Sequence, residues 1–287
     1  MQISTSFIRR QCALPILLSS LCAALPAQAQ TTDLASALKP VLSSAVRSDE
    51  NKARDQYRHP LETLSFFGVK PNAQLIEITP GPGGWYAEIL APLLKEKGVY
   101  IAANMSPVGL SERGAEYTKK GNEKQRAKFA ANPDAFGKVA ALEFAQKTPN
   151  FGPKNSADFV LTFRNVHNWV MAGTQEAMFK AAFDVLKPGA VFGVVDHRAA
   201  EGKSLEEVKK SGYLPQAYVI SLAEKVGFKL DAKSEVNANP KDSKDYADGV
   251  WTLPPTFGAG EKDRAKYAAI GESDRMTLRF IKPVFDK

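Results

Sequence analysis

A short apolar run at residues 74–78 is followed without a spacer by Thr79-Pro80-Gly81-Pro82-Gly83-Gly84 and then by a segment with helical spacing of apolar residues. This junction constrains the fold more than any other stretch of the chain. Glycines let the backbone turn sharply and approach a ligand closely, and the start of the following helix offers free N–H groups. A strand, glycine turn and helix in that order is the opening unit of an open α/β sheet. In such sheets ligands sit beyond the carboxyl ends of the strands.

The rest of the chain repeats the alternation. Strand-like runs at 99–104, 139–144, 158–163 and 191–196 are separated by helical patterns at 85–97, 107–137 and 175–186, and a helix at 215–226 follows. Runs at 228–236 and 276–282 complete the set with no helical periodicity between them, so they are expected to pair antiparallel. The expected fold is α/β: a doubly wound, Rossmann-like, seven-stranded sheet, mostly parallel with the last strand antiparallel. Ahead of the first strand, 48–57 reads as a surface helix. Pro60 opens a second helix, which Gly68 stops. The connection at 237–273 is long and polar and reads as a lid-like insertion in a single domain spanning 48–287.

The first 29 residues read differently. Arg9 and Arg10 precede an apolar stretch at 12–25, and Ala27-Gln28-Ala29 supplies the small residues of a cleavage site. This is the pattern of a secretory signal peptide, and the stretch is shorter than the ~20 residues of a bilayer span. Export, with a periplasmic destination, is expected, and 30–47 reads as an N-terminal arm. Both cysteines, Cys12 and Cys22, fall in the leader. The remainder therefore has no disulfide, no cysteine nucleophile and no thiolate metal site. The net charge of +7 is spread along the chain. Its modest density at 119–128 reads as a solvated helix face, and no nucleic-acid partner is expected.

The occupant of the glycine turn can be narrowed. The dinucleotide pattern G-x-G-x-x-G needs a third glycine where Tyr86 stands, and no G-x-x-x-x-G-K-[ST] phosphate loop exists. An acidic residue near the strand end, Glu77, followed by Gly81-Pro82-Gly83-Gly84, resembles the cofactor loop of class I methyltransferases. Further stretches match as a set: Arg58-His59-Pro60, Phe66-Phe67-Gly68, Phe163-Arg164-Asn165-Val166-His167-Asn168-Trp169, Lys187-Pro188-Gly189, Val195-Asp196-His197-Arg198 and Gly271-Glu272-Ser273-Asp274-Arg275. On these the chain resembles predicted exported bacterial class I methyltransferases over nearly all of its length beyond the leader.

That resemblance implies S-adenosylmethionine as cofactor and a small-molecule or envelope component as methyl acceptor. It implies cofactor contacts from Glu77, Thr79, Gly81, Gly83, Gly84, Tyr86, Asn104, Met105, Arg164 and Val166. The segment 163–168, ending the fourth strand, would face the transferable methyl group, with Asn165, His167 and His197 as catalytic candidates. Two positions depart from the class. Thr79 replaces the first glycine of the motif. Asn104 ends the second strand, where the class carries an acidic residue for the ribose hydroxyls; an uncharged acceptor there weakens binding by about 1 kcal/mol.

Of the three histidines beyond the leader, His167 and His197 each follow a strand that points at the site, whereas His59 opens a helix. Histidine suits removal of a proton from an oxygen or nitrogen nucleophile. A three-histidine zinc site has no local spacing in its favour, and no metal is expected. Asp196 can orient a histidine. Arg164 can seat an anionic substrate or pair with a buried carboxylate. Two other functions stay open at this point: a ligand-binding protein on the same fold with methyl transfer lost, and an envelope interaction protein using 237–273.

Overall fold

The computed structural model describes residues 27–284, so the charged and apolar parts of the proposed leader lie outside the described residues. Helix α1 (Ala27–Leu42) runs through the expected cleavage site and most of the expected arm. Three short helices follow, α2 (Asp49–Lys52), α3 (Asp55–Arg58) and α4 (Pro60–Phe67), where the sequence pattern predicts two. Pro60 occupies the first turn of α4 and Gly68 closes it in the left-handed conformation, as the residue types require.

Seven strands build one sheet: β1 (Gln74–Ile78), β2 (Val99–Met105), β3 (Ala140–Phe144), β4 (Ala157–Phe163), β5 (Leu186–His197), β6 (Lys229–Ser234) and β7 (Arg275–Ile281). Their order is β3-β2-β1-β4-β5-β7-β6, and β7 is antiparallel to both neighbours. This is the expected doubly wound sheet. The order reverses between β1 and β4, which opens the crevice where ligands of such sheets bind.

Helices α5 (Ala87–Leu94), α6 (Glu112–Ala131), α7 (Pro133–Phe136), α8 (Val166–Ala172), α9 (Gln175–Val185), α10 (Leu205–Val208), α11 (Gln216–Lys225) and α12 (Arg264–Ile270) complete the fold. Alternation along β1 divides the core. Leu75 joins α1, α4 and α5 on one face, through Leu38, Leu64, Phe67 and Leu90. Ile76 and Ile78 join α8, α9 and α11 on the other, through Trp169, Phe179 and Leu222. Gly193 of β5 lies against α4, where an added Cβ would stand 2.5 Å from Leu161 and 2.9 Å from Phe67.

Three expectations need correction. The amphipathic helix predicted at 85–97 is shorter, and seven of its eight residues are buried, because α1 covers the face it would otherwise expose. Residues 187–189, between the helix expected at 175–186 and the strand expected at 191–196, lie within β5, where Gly189 donates to the Lys282 carbonyl. Residues 163–168 do not simply end a strand: Val166 begins α8, whose first turn carries His167. No helix among the described residues is long and apolar enough to cross a membrane.

Candidate active site

The carboxyl ends of β1, β2, β4 and β5 point the same way, and β7, being antiparallel, begins at that end. The glycine turn emerges from β1 here. Thr79 has φ 51°, Gly81 φ 77° and Gly84 φ 54°. A β-branched residue in that region carries strain of roughly 1–2 kcal/mol, which a glycine would not. Thr79 is held there by its N–H to the Ala103 carbonyl, 2.8 Å. Asn165 anchors the turn from β4: its amide donates to the Ile78 carbonyl at 2.9 Å and to Thr162 Oγ1 at 3.1 Å. Those bonds give Asn165 the work of positioning the loop. Beside Gly81 and Gly83 an added Cβ would meet no heavy atom within 4 Å, so the turn borders open space.

On the β2 side the space is crossed by the chain itself. Helix α6 is polar, and the residues it buries are Thr118, Asn122 and Gln125, spaced as one helical stripe. Asn104 donates to Gln125 Oε1 at 2.6 Å, and Gln125 donates to the Gly81 carbonyl at 2.9 Å. Asn122 donates to the Met105 carbonyl at 3.0 Å, and Lys128 reaches the Gly83 carbonyl at 2.6 Å. The departure at Asn104 thus has a local reason: an amide pairs with Gln125, where an aspartate would face another acceptor unless the amide turned.

Glu77 does not face solvent. It is buried, accepts a hydrogen bond from Tyr100 Oη at 2.7 Å, and burial pushes its carboxyl up to about 8. It is therefore mostly neutral at pH 7. Tyr86 stacks on Phe163 with ring centroids 3.4 Å apart, and burial raises its phenol to about 12.

Beyond β4 and β5 the two expected histidines meet. Their rings lie 4.9 Å apart, with Trp251 of the 237–273 insertion 6.1 Å from His167. His167 Nδ1 is 2.8 Å from Asp196 Oδ1, and Asp196 also accepts the backbone N–H of His197 at 2.7 Å and of His167 at 3.2 Å. A carboxylate holding Nδ1–H leaves Nε2 of His167 as the lone-pair nitrogen, the form of a general base. His197 Nδ1 is 2.5 Å from Ser273 Oγ. Burial first, then His167, Arg164 and Arg275, keep His197 well below the ordinary histidine range, so it is neutral. The ligand atoms of His167, Asp196 and His197 all lie within 4.8 Å of one another. His59 is not in that group; it sits between α3 and α4 with φ 42°.

The connection at 237–273 is tied down. Tyr213 Oη bonds both Asp242 oxygens at 3.0 Å, and Asp274 takes Arg198 at 2.9 Å and Lys244 at 2.6 Å. These anchors fasten it over the histidine pair.

A third feature is cationic. Glu272 is bonded by Arg54 Nε at 2.7 Å, Arg58 Nε at 3.1 Å and Arg275 Nη1 at 2.9 Å. Burial pushes its carboxyl up, but Arg58, Arg275, Arg164 and Arg54 outweigh that and hold it far below the usual carboxylate range. The Arg58 guanidinium also lies 4.8 Å from the centre of the Trp85 ring. The resemblance pointed to the stretch holding Glu272 and Arg275 but gave neither a role. Gln125 had no signal at all, because a buried glutamine on a polar helix looks like a solvated one. A separate cavity of about 520 Å³ lies at the opposite end of the strands, lined by Lys70, Asp158, Lys187 and Arg279, away from these groups.

No protein-family model and no curated protein sequence matches the chain. Solved structures do match in fold. A SAM-dependent methyltransferase from Aquifex aeolicus aligns with TM-score 0.50 at 14% identity, over 88% of this chain and 98% of that one. A sarcosine dimethylglycine methyltransferase assignment from Galdieria sulphuraria gives 0.52 at 16%, over 85% and 91%. The [4+2]-cyclase SpnF gives 0.52 at 16%, over 89% and 95%. The chain thus has the architecture of class I methyltransferases. A cyclase shares it, so chemistry must be argued from the site.

Proposed function

We propose that the chain is an S-adenosylmethionine-dependent methyltransferase that acts on a small-molecule or envelope substrate after export to the periplasm. One observation carries the reading: an open glycine turn and an Asp196–His167 pair share the carboxyl ends of the strands. The residues suit the cofactor. Gly81 and Gly83 leave the room that a side chain would fill, and the Asn104 amide, once released from Gln125, can both donate to and accept from a diol. Gly81, Gly83, Gly84 and Asn104 would hold it, and when bound it supplies a methyl group on a sulfonium.

The chain's own part is alignment and proton removal. Tyr86 on Phe163 makes a rigid apolar wall, which limits the poses a substrate can take. His167, oriented by Asp196, receives the proton of an oxygen or nitrogen nucleophile at Nε2. Trp251, on the anchored 237–273 connection, flanks the His167 ring. Calorimetry with S-adenosylmethionine tests the reading: binding at or below millimolar cofactor is expected, and no binding at that level would refute it.

The bridge from Asn104 through Gln125 to Gly81 favours a second reading, a ligand-binding protein on the same fold that has lost methyl transfer. It is separated from the first by the same titration, because a closed α6 leaves no affinity for the cofactor.

A further inference from the structure

Three guanidiniums, those of Arg54, Arg58 and Arg275, bond one carboxylate, Glu272, and the half-buried Arg164 lies within electrostatic reach of it, as the cluster does of Tyr86 and His197. Arg58 and Arg275 are 2% and 3% exposed. Arg58 Nη2, Arg275 Nε and Arg54 Nη2 are buried with no hydrogen-bond partner among the described residues. The Arg164 guanidinium has no ion-pair or hydrogen-bond partner among them either, and its backbone is held left-handed at φ 61° by its N–H to the Val195 carbonyl, 2.7 Å. A fold does not gain stability by gathering buried cations around a single anion; each guanidinium without a partner costs desolvation and repels its neighbours. Glu77 does not relieve the excess, being mostly neutral at pH 7 and bonded to Tyr100. The side chain of Arg54 is 22% exposed, which leaves an entrance.

We propose that this cluster is the seat of a phosphate-type oxyanion carried by the methyl acceptor, held by Arg164 and by the free nitrogens of Arg54, Arg58 and Arg275. The assignment rests on the methyl-transfer reading for the word acceptor and on the geometry alone for the anion. Three groups with at least one unbonded nitrogen each, together with a whole guanidinium, offer more donors than a carboxylate with its two oxygens can satisfy, and a tetrahedral dianion supplies the further acceptors. The cofactor fills this seat less well: its single anionic group is a carboxylate with two oxygens, and it brings an ammonium and a sulfonium with it toward four cations. Crowding has left its mark on the arginines: burial first, then the neighbouring guanidiniums, bring Arg164 down to about 9 and lower Arg275 and Arg54.

The test is calorimetry on the full chain with inorganic phosphate, then sulfate and acetate, at constant ionic strength in a chloride buffer, with and without saturating S-adenosylmethionine. The expected result is phosphate and sulfate binding in the millimolar range or tighter, acetate at least tenfold weaker, and no change when the cofactor is present. Arg164→Gln should bind phosphate at least tenfold more weakly while melting no lower than wild type, since it removes a cation that has no partner; a structural arginine would show the opposite. Absence of phosphate binding, full retention by Arg164→Gln, or competition between phosphate and cofactor would each overturn the assignment. Phosphate binding without any cofactor binding would overturn the methyl-transfer reading and the word acceptor, and leave the oxyanion seat standing.

Discussion

Glu272 is the carboxylate that three members of the arginine cluster bond, and Glu272→Gln is the perturbation that weighs it. The side chain is 3% exposed and bonded by three guanidiniums at 2.7, 2.9 and 3.1 Å. Removing one partner of a buried pair costs about 3–5 kcal/mol, because the remaining charge stays buried. Glutamine keeps one carbonyl acceptor, and Arg54 is partly wetted, so the expected loss is near the lower end, about 3 kcal/mol. For a chain of this size that lowers the melting temperature by roughly 6–12 °C. Thermal and urea denaturation in phosphate-free buffer measure it. The carboxyl is depressed in the folded state, so its contribution is present above its unfolded pKa and is lost as pH falls toward the folded value. The variant should therefore lose part of the wild-type acid sensitivity. Phosphate should also rescue it: an anion at a hundred times its dissociation constant returns about 2.7 kcal/mol. A loss below about 1 kcal/mol, with unchanged acid behaviour, would refute the view that Glu272 is what holds the arginines together.

Four further outcomes follow from the same structure. Glu77, raised from 4.5 to about 8, stabilises the fold fully below its unfolded value and loses that contribution as pH rises to about 8; Glu77→Gln should flatten the urea midpoint between pH 5 and 9. His167→Ala should lower kcat by about 10²–10⁴ while leaving cofactor affinity within twofold, and Asp196→Asn should shift the pH profile of the rate in the same assay. Asn104→Asp should tighten cofactor binding roughly five- to tenfold by calorimetry if Gln125 can turn its amide, and Gln125→Ala should do the same by opening the bridge. Gly193→Ala should cost about 1–3 kcal/mol in denaturation, because its methyl group would meet Leu161 and Phe67.

Local chemistry made much of the fold legible before any coordinates. Apolar runs at 74–78, 99–104 and 158–163 are strands because their residues suit a sheet buried on both faces, and the observed strands agree to within a residue or so. The same holds for the α4 stop at Gly68 and the glycine turn, where φ is positive at Gly81 and Gly84. The meeting of His167 with His197 was half legible: His197 ends β5 and His167 comes just after β4, its parallel neighbour, and such ends lie together.

The tertiary structure decided the rest. That α5 is buried nearly all round depends on α1 lying over it, a contact between segments some fifty residues apart that periodicity cannot see. Gln125 reaches Asn104 and Gly81 only because α6 turns back across the β1–β2 edge. The arginines come from α3 and its N-cap, from the turn after β4, and from β7, which runs antiparallel and so brings Arg275 to the same end as Arg58 and Arg164. Sequence alone determined the seven strands and the main helices between them, since dihedral preference and burial pattern are properties of neighbours along the chain. Charge accumulation, desolvation and the partners left unmade are properties of neighbours in space, and only the folded packing of the sheet set them.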